Sequence, residues 1–147
     1  MAKREVAVQD SSVAVKWFSR EEGSEGALAL MEAHAGGRIE LVVLELLFCE
    51  VANALRYNPR FDAGRLGDAI EQLFRINMRI VPIDGELMRK AGEIAFDGKV
   101  TLYDALPVAL AKMEGSTCVT ADEGTQYARL KPKGYPIELL QQRLMRR

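Results

Sequence analysis

Apolar residues along this chain alternate between two periods. Short runs at Glu5 to Gln9, Ile39 to Val43, Arg79 to Ile83, Thr117 to Thr120 and Ile137 to Leu140 read as strands. Between them the apolar positions recur every three or four residues, the spacing of a helix with one buried face. Ser12 to Phe18 reads as a short helix, and Glu25 to Ala35 as a second one closed by Gly36-Gly37. A helix from about Glu45 to Tyr57 is stopped by Asn58-Pro59. Asp62 to Ile76 places Leu66, Ala69, Ile70 and Leu73 on one face. Asp84 caps a helix to about Phe96 with Leu87, Ala91 and Ile94 inward, and Asp97-Gly98 reads as a turn. Leu102 to Glu114 is helical and closed by Gly115, and Glu123 to Leu130 is a short helix.

Strands thus alternate with helices, often two per crossover, which predicts an α/β fold with a parallel sheet covered by helices on both faces. The 147 residues fit a single domain spanning 1–147. Folds of this class bind ligands in the crevice at the carboxyl ends of the strands. The residues just after each strand therefore carry the functional interest.

Composition narrows the classes. Almost half the residues are apolar and 28% are charged, the balance of a globular protein. The longest apolar run, Leu41 to Leu55, is broken by Glu45, Glu50 and Asn53, so no membrane span is expected. No secretory leader is expected at the N-terminus either. Cys49 and Cys118 sit in apolar stretches without metal-ligand spacing and read as buried free thiols of a reducing, cytoplasmic protein. The net charge of −1 gives no global field toward nucleic acid. Positive charge is local, at Lys16, Arg20, Arg56, Arg60 and Arg65, and in a basic tail of about 141–147 holding Arg143, Arg146 and Arg147. Solvated surface is the ordinary reading of each.

Four acids carry the candidate chemistry. Asp10 follows the first strand and Asp122 the fourth, and each alone reads as a helix cap. If those strands are neighbours, the two charges meet. Glu50 lies on a largely apolar helical stripe with Leu46, Leu47 and Ala54, where a carboxylate is costly to bury without a cation, and Asn53 shares its face. Thr101 and Asp104 have capping-box spacing, which puts Asp104 in a first helical turn near the same crevice. Clustered acids raise one another's pKa, and a divalent cation reverses that cost. Oxygen-only ligands suit Mg²⁺ or Mn²⁺. The sole histidine, His34, reads as a surface residue in a C-terminal helical turn, which argues against zinc.

The strings Asp10-Ser11-Ser12-Val13-Ala14-Val15-Lys16-Trp17-Phe18, Glu50-Val51-Ala52-Asn53, Thr101-Leu102-Tyr103-Asp104-Ala105-Leu106 and Val119-Thr120-Ala121-Asp122-Glu123 follow one another across most of the chain. In that order they resemble the PIN-domain nucleases, and most closely the VapC-type toxins of prokaryotic toxin–antitoxin pairs. The resemblance implies an α/β/α sandwich and a metal-dependent endoribonuclease. It makes Asp10, Glu50, Asp104 and Asp122 the quartet holding Mg²⁺ or Mn²⁺, with Ser12, Asn53 and Thr120 as polar helpers. It also implies an RNA substrate, a homodimer and a VapB-like antitoxin that blocks the site. Lys16, Arg20 and Lys99 are candidates for holding flanking RNA backbone.

Two positions depart from the family pattern. Leu44 stands where relatives often have proline. Pro107 stands where they often have an aromatic residue, and it predicts a kink or a later start in the helix carrying Asp104. Trp17, Phe18, Leu66 and Leu73 exceed the smallest core, which leaves some of them for an interface; core is the competing reading and the favoured one for Trp17. The competing classes are a receiver-like switch built on Asp10, Asp84, Thr120 and Lys131-Pro132, a PIN scaffold that only binds a partner, and a DNA-directed nuclease. Too little chain separates Thr120 from Lys131 for a receiver's helix and strand, and all four acids are present.

Overall fold

Residues 4–145 are described by a computed structural model. Strand β1 (Glu5–Gln9) leads into a single helical turn, α1 (Ser11–Ala14), which tightens to 3-10 geometry over Val15–Trp17. Then follow α2 (Ser24–Ala35), β2 (Ile39–Leu44), α3 (Leu46–Arg56), α4 (Ala63–Arg75), β3 (Arg79–Val81), α5 (Gly85–Gly98), α6 (Leu102–Met113) and β4 (Thr117–Thr120). A wide π turn at Glu123–Tyr127, helix α7 (Ala128–Leu130), β5 (Ile137–Leu139) and α8 (Leu140–Met145) complete the described chain.

The five strands form one parallel sheet in the order β3-β2-β1-β4-β5. Register sets Val8 against Val42 and Cys118, and Gln9 against Val119. Both faces are buried, as a parallel sheet requires. Ala7, Leu41, Val43 and Val119 face a layer supplied by α1 to α4 and α8. Val8, Val42, Leu44 and Cys118 face the opposite layer, made by α5, α6 and α7. The sheet was expected from the alternation of periods, and the expected α/β sandwich is the fold observed. Because β1 and β4 are adjacent but distant in sequence, strand order reverses between them, and a crevice opens there at the carboxyl ends.

Several local expectations need correction. Asp97-Gly98 is not a turn: α5 continues through Gly98 and ends at Lys99, whose backbone is left-handed (φ 56°, ψ 45°). Gly98 is small for a packing reason, since a Cβ there would stand 2.3 Å from Leu130 Cδ2. Glu123 to Leu130 is not a uniform α-helix but starts as the π turn. Helix α6 starts at Leu102 with Pro107 inside it, so proline does not delay its start. Cys49 is exposed; only Cys118 is a buried thiol.

The basic tail is also misread in part. Arg143 is 8% exposed and pairs with Glu138 at 3.1 Å and Glu5 at 2.9 Å, pinning α8 to β5 and β1. Arg146 and Arg147 lie outside the described residues. Leu73 is buried, and Trp17, Phe18 and Leu66 pack on the same core, so these residues are not spare surface. Trp17 Nε1 donates to Ala27 O at 2.8 Å, which satisfies its polar end. Exposed apolar side chains include Phe96, Tyr57, Phe74 and Ile80, and Phe74 stacks on Phe48 with ring centroids 4.2 Å apart. Among the described residues no helix is long and apolar enough to cross a membrane.

Candidate active site

Asp10 follows β1 in extended conformation and caps α1, its carboxylate accepting from Ser12 N at 3.0 Å. Its own N–H donates to Val119 O at 3.0 Å, which fastens the tip of β1 to β4. At the end of β4, Asp122 caps the π turn, accepting from Thr125 N at 3.1 Å and Gln126 N at 3.2 Å. The two aspartates are thus the capping residues their sequence context predicts. Strand adjacency also brings them within electrostatic reach of each other.

Glu50 enters from α3 and Asp104 from the first turn of α6, where Asp104 N donates to Thr101 Oγ1 at 3.1 Å. Burial is the main influence raising the Asp10 carboxyl above its ordinary range, and Asp122 adds to it; bonds from Ser12 and Gln126 work against them. Burial first, then Asp10 and Asp104, push Glu50 from 4.5 to about 7 despite a hydrogen bond from Ser11. Asp104 is raised by burial, then by Asp10 and Asp122, with Arg129 pulling the other way. Asp10 and Asp104 thus lie within electrostatic reach of each other and of both Glu50 and Asp122. Among the described residues none of the four forms an ion pair within 4.0 Å.

A polar chain links the acids' elements. Ser12 Oγ accepts from Ala121 N at 2.9 Å and lies 3.3 Å from Thr120 Oγ1. Thr120 Oγ1 accepts from Asp122 N at 3.0 Å and donates to Gln126 Oε1. Gln126 Nε2 donates to Asp104 O at 2.9 Å and to Asp10 Oδ1 at 3.4 Å. One proton arrangement serves all these bonds: Thr120 gives its hydroxyl hydrogen to Gln126, so Ser12 must donate to Thr120. Gln126 is fully buried, and its two-ended amide ties β1, α6 and the π turn together.

Ser12 and Thr120 stand beside Asp10 and Asp122. Asn53 is exposed on α3 and makes no hydrogen bond to any of the four. Lys16 is occupied by Glu21 at 3.0 Å and by the Glu22 carbonyl. Arg20 and Lys99 are exposed. Asp84, central to a receiver reading, caps α5 through Leu87 N at 2.9 Å. Gln126, Ser11 and Arg129 went unnoticed in the sequence. Gln126 follows Asp122 by four positions, the spacing of neighbours on one helical face, and that was the available signal.

Among the described residues, no three metal-ligating side chains are gathered closely enough to hold an ion as they stand. The donor chemistry nevertheless fits a hard divalent cation. The set is all carboxylate oxygen, unpaired and mutually repelling, so an added cation relieves the repulsion.

A family profile described as the PIN domain matches residues 7–131. No protein of curated function matches the chain in sequence. Among solved structures it is similar to DNA-bound VapBC from Salmonella typhimurium, at 13% identity over 94% of this chain and 99% of that one, TM-score 0.69. It is similar to a Pyrobaculum aerophilum protein, at 18% identity over 97% and 94%, TM-score 0.66. It is also similar to Mycobacterium tuberculosis VapC20, a sarcin-ricin loop cleaving toxin, at 16% identity over 88% and 95%, TM-score 0.66. At such identities the likeness establishes the fold alone.

Proposed function

Because the chain belongs to the PIN domain family, we propose that it hydrolyses RNA phosphodiester bonds at the crevice between β1 and β4. Asp10, Glu50, Asp104 and Asp122 would together hold Mg²⁺ or Mn²⁺. The observation that carries this is the gathering of four carboxylates without ion-pair partners from four elements, with the proton affinities of Asp10, Glu50 and Asp104 raised by burial and by their acidic neighbours. A fold gains nothing from such a cluster without a cation to offset it. When bound, the cation would supply a lowered pKa for a hydrolytic water and charge relief at the phosphate.

The chain's own residues do the rest. Ser12, Thr120 and Gln126 fix Asp10, Asp122 and the start of α6 against each other, so the donors are held before substrate arrives. Glu50 must give up a proton to act as a ligand, so cation affinity rises with pH through about 7. Tyr103, 60% exposed and next to Asp104, offers an unpaired base a ring to stack on, which favours single-stranded or looped RNA. Arg129, exposed and close enough to lower the Asp104 pKa, is placed to meet backbone phosphate, although one of its guanidinium nitrogens already donates to Lys99 O.

The solved relatives in VapBC complexes support a toxin role, with a VapB-like antitoxin as partner. The exposed Phe74 and Ile80 patch supports burial against that partner or a second copy. The test offers the antitoxin-free protein pools of structured RNA, single-stranded RNA and DNA with Mn²⁺ or Mg²⁺. Discrete RNA cuts that vanish with EDTA and in Asp10→Asn are expected. Cuts that persist in Asp10→Asn would remove the site assignment, and cuts in DNA alone would replace the substrate.

A further inference from the structure

Gln9 is the last residue of β1, one position before Asp10, and it is 1% exposed. Neither its Nε2 nor its Oε1 has a hydrogen-bond partner. Burying an amide unpaired is costly, and native proteins almost always satisfy such groups with protein or water. Gln9 lines a narrow cleft shared with Asp10, Glu50, Tyr103 and Pro107. Free space in it is about 10 Å³, the room of a single water.

The cleft holds a second under-used group. Pro107 lies inside α6 and has no N–H, so the Tyr103 carbonyl lacks the donor that a helix would supply from four residues on. Two polar side chains, the buried Gln9 amide and the half-buried Glu50 carboxylate, thus line a space of one water, and Tyr103, whose carbonyl proline leaves without its helical donor, lines it too. A water there accepts from Gln9 Nε2 and donates to Glu50 and to Tyr103 O. That gives it three bonds, the usual number for a buried water.

We propose that this cleft is a site for one ordered water through which Gln9 positions Glu50. The proposal rests on the reading of Glu50 as a cation-holding carboxylate. Gln9 is a positioning residue and touches neither substrate nor cation. It explains why an amide stands at a strand end where an apolar residue would pack at less cost, and it gives Pro107 a role beyond filling the core. Groups that orient a cation's ligands typically change its affinity 10- to 100-fold when removed.

The test joins a crystal structure of the metal-free protein to calorimetric Mn²⁺ titration of wild type and Gln9→Met, which keeps the side chain's size and deletes its amide. The expected crystal shows a water bridging Gln9, Tyr103 O and Glu50. Gln9→Met should still melt cooperatively and close to wild type, because it deletes the buried amide together with its bond to the water, while its Mn²⁺ dissociation constant rises about tenfold. A dry cleft, or a Gln9 amide bonded directly to protein, overturns the proposal. So does a Gln9→Met variant with unchanged Mn²⁺ affinity. If wild type binds no Mn²⁺, the proposed function fails instead, and the density alone decides the water. If Gln9→Met does not fold, the wild-type crystal still decides.

Discussion

Glu50→Gln should make the metal-free protein more stable at neutral pH while depriving it of cation. The Glu50 carboxyl is held near 7 in the folded chain instead of its ordinary 4.5, by burial first and then by Asp10 and Asp104. Fully shielded from water, that difference corresponds to about 3 kcal/mol. Glu50 is only partly buried, and solvent screening reduces the figure to about 1–2 kcal/mol. The sign follows from linkage. The folded state binds this proton more tightly than the unfolded state does. Its contribution to stability is therefore whole below about 4.5 and is lost as pH rises through about 7. Glutamine never ionises and escapes the loss. For a chain of this length, 1–2 kcal/mol moves the melting temperature by about 3–6 °C. The assay is thermal melting in EDTA from pH 4.5 to 8. Curves for wild type and Glu50→Gln should coincide at the acidic end, separate as pH rises and stay apart above about 7. With saturating Mn²⁺ the order should invert at pH 8, because only wild type gains a full site. A variant no more stable than wild type at pH 8 in EDTA, or a gap that ignores pH, would refute the reasoning.

Other outcomes follow from single contacts. Gln126→Leu strips the buried amide that ties Asp10, Asp104 and Thr120 together, and should cost about 1–3 kcal/mol in urea unfolding along with most cleavage. Gly98→Ala forces a methyl against Leu130 and should destabilise by about 1–3 kcal/mol in the same assay, without changing Mn²⁺ affinity. Tyr103→Ala should weaken RNA binding by about 1–3 kcal/mol in a filter or anisotropy assay, with Tyr103→Phe restoring it, since stacking needs the ring and not the hydroxyl. Arg143→Ala removes the guanidinium that pairs with Glu138 at 3.1 Å and Glu5 at 2.9 Å and should cost about 1–3 kcal/mol by chemical unfolding.

The sheet was legible because period-two and period-3.6 segments alternate cleanly, and because Asp62, Asp84 and Thr101 mark helix starts by accepting from backbone N–H groups as their residue types predict. What stayed hidden depends on contacts between segments far apart in sequence. Gly98 looked like a turn because its role, room for Leu130, lies some thirty residues away. Arg143 looked like solvated tail because Glu138 and Glu5 approach it only once α8 has docked. Asp10 and Asp122 were legible as caps, but their meeting required the β1–β4 adjacency, which no local pattern encodes. Gln126 and Gln9 escaped notice because a buried amide is recognised by its surroundings, not by its neighbours in sequence.

The central claim is that four acids act as one cation site that cuts RNA. Its most direct test is calorimetric Mn²⁺ titration run beside RNA cleavage on wild type and on Asp10→Asn, Glu50→Gln, Asp104→Asn and Asp122→Asn. The account predicts saturable Mn²⁺ binding in wild type, and binding and cleavage weakened together in every variant while each still melts cooperatively. Full Mn²⁺ binding and unimpaired cleavage in any two of the four would contradict it.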